Sequence, residues 1–286
     1  MAERLPFRRK CIQLAAALLY NANLKGFAGP SIYQGRLKGL CVPGLNCYSC
    51  PGAVAACPLG ALQNALSSVR YRLPLYIFGL LLLFGLLLGR VICGFLCPFG
   101  LVQELLYKVP GPKLKKGRLT RSLSRFKYVV LAVFAIGVPL FLGLANGMPV
   151  PAFCKYICPA GTLEGGLPLV AGDPQLRALA GGLFQWKVAL LCLILISAVF
   201  AYRSFCRFLC PLGAIYSLFS RISILGIQVD GKACTGCGAC VRHCKLDVRH
   251  PGDGECIQCG ECRAVCKHGA ICQKNRRKEK TKHETA

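Results

Sequence analysis

One eleven-residue motif occurs twice in this chain. Arg90-Val-Ile-Cys93-Gly-Phe95-Leu96-Cys97-Pro98-Phe-Gly100 recurs as Arg203-Ser-Phe-Cys206-Arg-Phe208-Leu209-Cys210-Pro211-Leu-Gly213, with arginine, both cysteines, phenylalanine, leucine, proline and glycine in register. Each copy follows a long apolar run, so the motif marks a duplicated unit. Such a unit reads as a helix going out, a loop with cysteines, a helix coming back, and a C-x3-C-P at the inner surface. Parallel repeats of this kind are related by an axis along the membrane normal. That axis brings Cys93 and Cys97 against Cys206 and Cys210. Four converging thiolates are what a cubane iron–sulfur cluster requires. Proline after the last cysteine suits the first helical turn, where a missing N–H costs nothing. The other N–H groups of that turn, and the positive end of the helix dipole, favour an anionic cluster. Arg90 and Arg203 fit either of two roles, balancing that charge or marking the inner boundary.

The apolar runs are long enough to cross a bilayer. Leu73 to Gly89, Tyr128 to Ala145 and Leu183 to Tyr202 each approach the length that a hydrocarbon core of about 30 Å demands. Trp186 and Lys187 read as an interfacial anchor. Between the first two runs lie Lys108, Lys113, Lys115, Lys116, Arg118, Arg121, Arg125 and Lys127, which place that loop in the cytoplasm and Arg72 outside. Arg4, Arg8, Arg9 and Lys10 also belong inside, which requires Cys11 to Leu24 to cross as a further span. A cleaved leader is the rival reading of this end, but no small-x-small site follows. Cys11 and Cys192, inside predicted spans, are buried free thiols by default.

After the last span the spacing C-x2-C-x2-C-x3-C occurs twice, as Cys234, Cys237, Cys240, Cys244 and as Cys256, Cys259, Cys262, Cys266. This is the two-cluster 4Fe-4S ferredoxin pattern, in which the fourth cysteine of each run serves the other cluster. One cluster is therefore expected on Cys234, Cys237, Cys240 and Cys266, and the second on Cys244, Cys256, Cys259 and Cys262. Lys245 and Lys267 stand where the pattern usually has proline. Structural zinc uses separated C-x2-C pairs and does not need such a run.

Six more cysteines fall in the outer loops: Cys41, Cys47, Cys50 and Cys57, then Cys154 and Cys158. Cys57-Pro-Leu-Gly60-Ala61 repeats Cys210-Pro-Leu-Gly213-Ala214, and Cys154 to Gly161 is another C-x3-C-P-x-G. At least one outer metal cluster is expected; disulfides are the competing reading, with Cys47-Tyr-Ser-Cys50 a candidate pair. The four histidines all lie after the last span and no C-x-x-C-H occurs, so no haem is expected. No nucleotide fingerprint is present. The net charge of +25 concentrates beside the spans and in the tail from Lys274 to Lys282. Lipid headgroups or an acidic redox partner account for it without nucleic acid.

The C-x3-C-P pairs, followed by the tandem cysteine runs, resemble the polyferredoxin-type 4Fe-4S membrane proteins. These are the NapH-type membrane ferredoxin of periplasmic nitrate reductase systems and the membrane half of NosR-type proteins. The resemblance implies passage of electrons between the membrane quinone pool and redox partner proteins on one or both sides of the membrane. It also implies a subunit of an oxidoreductase, of the quinol dehydrogenase type, rather than a stand-alone enzyme. The residues do not place a quinone site; Arg90, Tyr107 and Arg203 stand near the inner boundary where one would lie. The outer run Cys41 to Cys57 departs from the simpler family pattern.

The expected fold is an α-helical membrane protein with about four transmembrane helices in a duplicated two-helix unit and a C-terminal α+β two-cluster ferredoxin domain. Its parts are residues 1–110 and 111–222 (the membrane repeats), 223–272 (the ferredoxin domain) and 273–286 (a basic disordered tail). The expected location is the cytoplasmic membrane, with the ferredoxin domain inside. A membrane thiol–disulfide relay, or a redox sensor with a tethered ferredoxin, is the alternative function.

Overall fold

A chain this apolar and this broken by Cys-Pro turns builds short helices around cysteine-bearing corners. The computed structural model describes residues 4–29, 31–67, 75–146 and 150–274. Arg72, the first residues of the Leu73 to Gly89 run, and the tail beyond 274 lie outside the described residues.

Two helices are long and apolar enough to cross a membrane, Arg118–Ala145 and Gly182–Phe200; Leu75–Leu87 is a shorter apolar helix. Their outward faces carry large apolar side chains, with Phe141 and Leu193 exposed by 69% and 63%. Such a surface suits lipid rather than water. The first helix, Arg4–Tyr20, runs from Glu261 of the C-terminal segment, bonded by Arg9, to Val54, whose N–H bonds the Tyr20 carbonyl. Cys11 and Cys192 face outward from their helices rather than into the core.

The Arg118–Ala145 helix starts earlier than the apolar run alone predicts, because Thr120 caps it against the Gly117 N–H. Two π-helical turns, Leu131–Gly137 and Gly161–Gly166, end just before Pro139 and Pro168. Proline cannot donate the regular helical bond and clashes with the preceding turn, and the wider turn absorbs the insult.

Each Cys-Pro corner begins a helix that packs back against the apolar helices: Pro58–Ser67, Pro98–Leu106 and Pro211–Phe219, with Pro159 leading into the π turn at Gly161. Leu59, Ile92, Phe99, Phe153, Phe205 and Tyr216 fill the space between them, all 1% exposed or less.

The C-terminal segment folds on a two-stranded antiparallel sheet, Ile227–Val229 with Ile271–Gln273, in register Gln228 to Cys272. Acidic residues hold it to basic residues of the helical region. Glu261 pairs with Arg9 at 2.9 Å, Glu255 with Lys127 at 2.6 Å, and Asp247 with Arg207. Lys127, expected in a solvated basic loop, is thus fully buried beneath this segment.

Candidate metal centres

Cys93 sits in the short helix Val91–Phe95 and Cys206 in its counterpart Ser204–Phe208, while Cys97 and Cys210 are the N-caps of Pro98–Leu106 and Pro211–Phe219. All four are buried. Extended backbone at each cap turns the sulfur over the new helix, so the Gly213 N–H donates to Cys210 Sγ at 3.3 Å. Burial pushes the Cys97 thiol up to about 12, and the neighbouring Cys206 and Cys93 charges add to it. Cys210 is raised the same way, by burial and then by Cys206 and Cys93. Cys97 and Cys210, one from each copy of the motif, thus both lie within electrostatic reach of Cys93 and Cys206.

Gln103, one helix turn beyond Gly100, spans the two halves. Its Nε2 donates to Cys206 Sγ at 3.1 Å, and its Oε1 accepts the Phe205 N–H at 3.0 Å. Arg203 is completely buried in a left-handed conformation (φ 52°), costly for a residue with a Cβ. There its Nε donates to Glu104 Oε1 at 2.9 Å and its Nη1 to the Cys93 carbonyl. Glu104 also takes Arg9 at 2.6 Å and the Tyr202 hydroxyl at 2.6 Å. Arg90 and Arg203 are both buried beside the thiols, so neither is a simple boundary marker.

The outer cysteines repeat this geometry in part. Gln63 Nε2 donates to Cys154 Sγ at 3.3 Å and its Oε1 accepts the Phe153 N–H at 2.9 Å, the same pair of bonds that Gln103 makes. The Gly161 N–H donates to Cys158 Sγ at 3.4 Å, as Gly213 does to Cys210. Burial pushes the Cys57 thiol up, and the backbone amides of Gly60, Leu59 and Asn46 oppose it. Glu164 accepts the Cys47 N–H at 2.8 Å, and burial pushes its carboxyl up to about 7. Cys41, Cys47, Cys57, Cys154 and Cys158 line a cavity of about 590 Å³. The buried Cys50 does not, and its thiol bonds Asn21 Oδ1 at 3.4 Å.

Hydropathy sends the two sites to opposite faces, yet the structure sets them back to back. Leu45 and Asn46 are consecutive residues: the Leu45 backbone amide acts to lower the Cys97 thiol and the Asn46 amide the Cys57 thiol, and a Cβ on the preceding Gly44 would stand 3.3 Å from Cys97 Cα. Tyr216, which bonds the Pro43 carbonyl at 2.8 Å, feels the charges of Cys93 and Cys57 alike. Phe153 and Phe205 rings stand 6.5 Å apart, and Phe205 meets Phe99 edge-on at 5.2 Å. The cause is the re-entry of the Cys-Pro helices, which draws the outer loop inward.

On the other side, Gly94 leaves no room for a Cβ beside the Ile257 carbonyl. Ile257 follows Cys256. Cys244, Cys256, Cys259 and Cys262 line one small cavity together with Cys240, which the sequence pattern assigns to the other cluster, and burial, with these neighbours, pushes the Cys262 thiol up to about 12. Cys234 and Cys237 are exposed and Cys240 and Cys266 partly so. All 21 cysteines are free thiols, and no three His, Cys, Asp or Glu side chains among the described residues are grouped to hold a single metal ion. Ligands to one zinc, each about 2.3 Å from the metal, must nearly touch. A cubane interposes its irons and takes sulfurs set further apart, and N–H donors to sulfur are the bonds it needs. The buried cysteine sets fit that group.

A family description, "4Fe-4S binding domain", matches residues 72–117, 128–167 and 184–226, and each match contains one C-x3-C-P. An uncharacterized protein of Methanocaldococcus jannaschii is 30% identical over 65% of this chain and 72% of its own. The chain belongs to the ferredoxin-type 4Fe-4S family of electron-transfer proteins. Methylamine utilization ferredoxin-type protein MauN of Paracoccus denitrificans is 28% identical over 82% of this chain and 74% of its own. Ferredoxin-type protein NapH of Haemophilus influenzae is 26% identical over 65% and 63%. The chain spans from under two thirds to about three quarters of the length of these curated relatives. No solved structure matches it.

Among family members this chain has residues that the motif comparison passed over. Gln63 and Gln103 complete the pattern C-P-x-G-x-x-Q, while Glu164 and Tyr216 hold the same position after Cys158 and Cys210. The signal was in the letters, three residues beyond the glycine where the repeat was read.

Proposed function

We propose that this family member is a membrane-bound electron-transfer protein. It would hold 4Fe-4S clusters on Cys93, Cys97, Cys206 and Cys210, and on the two ferredoxin sets, and exchange electrons with redox partners and the quinone pool. When bound, such a cluster supplies a one-electron relay whose potential is set by burial, charge and hydrogen bonds to sulfur. The observation that carries the reading is the position of the inner thiols. They are walled on one side by Leu45, next to the outer cysteines, and on the other by Gly94 against Ile257.

The chain's own residues orient and shield. Gln103 fixes the Cys206 sulfur from the opposite half, and Gly213 fixes Cys210. Arg90 and Arg203 supply positive charge where thiolates would stand. Phe99, Phe153 and Phe205 exclude water.

For orientation, Lys116 donates to the Val241 carbonyl at 2.9 Å, so the basic loop and the ferredoxin segment share a side. The positive-inside rule makes that side cytoplasmic, and Arg9 on Glu261 brings the first helix to it as well. This gives a multi-pass protein in which the helix Arg4–Tyr20 also crosses.

Redox-poised EPR on anaerobically purified full-length protein tests the reading. Signals of more than the two ferredoxin clusters, one of them lost in Cys206→Ala, are expected. Finding the ferredoxin clusters alone would remove it. Loss of activity in Cys47→Ser with Cys50→Ser at unchanged cluster content would favour a thiol relay.

A further inference from the structure

The outer cysteines number six, and the structure divides them. We infer that Cys47, Cys57, Cys154 and Cys158 form a further 4Fe-4S site, back to back with the inner one, and that Cys41 and Cys50 lie outside its ligand set. The inference deepens the electron-transfer reading and rests on it for the cluster's use, though not for its binding.

The local geometry repeats much of the inner site. Cys57 and Cys158 each precede a proline and a glycine, as Cys97 and Cys210 do. Gln63 bonds Cys154 as Gln103 bonds Cys206. The difference lies in the fourth sulfur. The position matching Cys93, four residues before Cys57, is Ala53, which has none to give.

Cys47 fills that place from outside the motif. Its sulfur and that of Cys158 lie 3.6 and 3.7 Å from where a Cβ on Gly161 would stand, and its Sγ is 3.3 Å from the same point on Gly165. Cys154 Sγ is 3.8 Å from the corresponding point on Gly60. Cys47 lies within electrostatic reach of Cys57, Cys154 and Cys158 and also of Cys50, but Cys50 does not line the cavity and its thiol bonds Asn21, while the cysteine coupled to Cys41 is Cys57. The cavity of about 590 Å³ that these sulfurs line gives room for the group.

Iron and sulfide analysis of anaerobically purified full-length protein tests the assignment. Cys47→Ala and Cys158→Ala should each lose about four irons per chain, one cubane, with the ferredoxin EPR signals kept. Cys41→Ala and Cys50→Ala should lose none. Retention of all iron in Cys47→Ala or Cys158→Ala, or loss in Cys41→Ala, overturns it. Should those variants fail to fold, alkylation of the wild-type protein followed by mass spectrometry decides. Cys47 should resist until iron is chelated while Cys41 reacts throughout, and labelling of Cys47 in iron-loaded protein overturns the assignment. Cys206→Ala keeps the two readings apart, because it tests the inner site alone. Iron lost from Cys158→Ala but not from Cys206→Ala would sink the inner cluster and leave this one standing.

Discussion

The inner and outer thiol sites use one local plan in two settings. At each, a Cys-Pro corner presents sulfur over a helix start, and a glutamine reaches across to a cysteine of the other half. Around the inner site stand two buried arginines, Glu104 and the ferredoxin segment. The outer site opens on a cavity flanked by Lys38 and Lys187, with Glu164 where the inner site has Tyr216. Local geometry thus fixes which group can bind, and the surroundings fix what can reach it.

The comparison can be broken most severely at the sulfurs. If the inner site is the link to the ferredoxin segment, Cys206→Ala should abolish reduction of the ferredoxin clusters from the outer side, with the outer site's iron retained. Stopped-flow absorbance with an impermeant reductant on oriented vesicles measures this.

The charged frame comes next. Glu104→Ala strands Arg9 and Arg203 in the interior and should cost about 3–5 kcal/mol of stability. Glu164→Gln keeps an acceptor for the Cys47 N–H and should cost only about 1 kcal/mol. Denaturation in detergent distinguishes the two, and equal losses would mean that the frames are equivalent.

The glutamines give the smallest and sharpest contrast. Gln103→Leu removes an N–H donor that stabilises the more negative, reduced state, so the inner potential should fall by on the order of 50 mV. Gln63→Leu should lower the outer potential alone by a similar amount. Redox titration reads both, and a shift at the wrong site would dissolve the parallel.

How much was legible follows from distance along the chain. The cysteine sets show in the letters because Cys-Pro corners and C-x2-C runs carry their own local geometry. The glutamines were legible too, but a comparison of Arg90 to Gly100 with Arg203 to Gly213 stops short of them, and the second copy has Tyr216 instead. Glu104 could not be read, since its partners lie about a hundred residues away, Arg9 on the first helix and Tyr202 and Arg203 in the turn after Phe200. Lys127 misled for a related reason: a lysine in a basic stretch looks solvated until Glu255 arrives to cover it. Hydropathy assigned the two sites to separate faces because it reports where helices end, not where the following corners turn back.

The loop residues Gly44, Leu45 and Asn46 lie between the two sets of cysteines, with Gly44 packed against Cys97. Neighbouring Cα atoms across a trans peptide are about 3.8 Å apart, and the bond between them does not stretch. The spacing of this backbone segment between the two sets of cysteines is therefore set by covalent geometry. It should stay constant as lipids thicken, thin or press sideways on the helices around it.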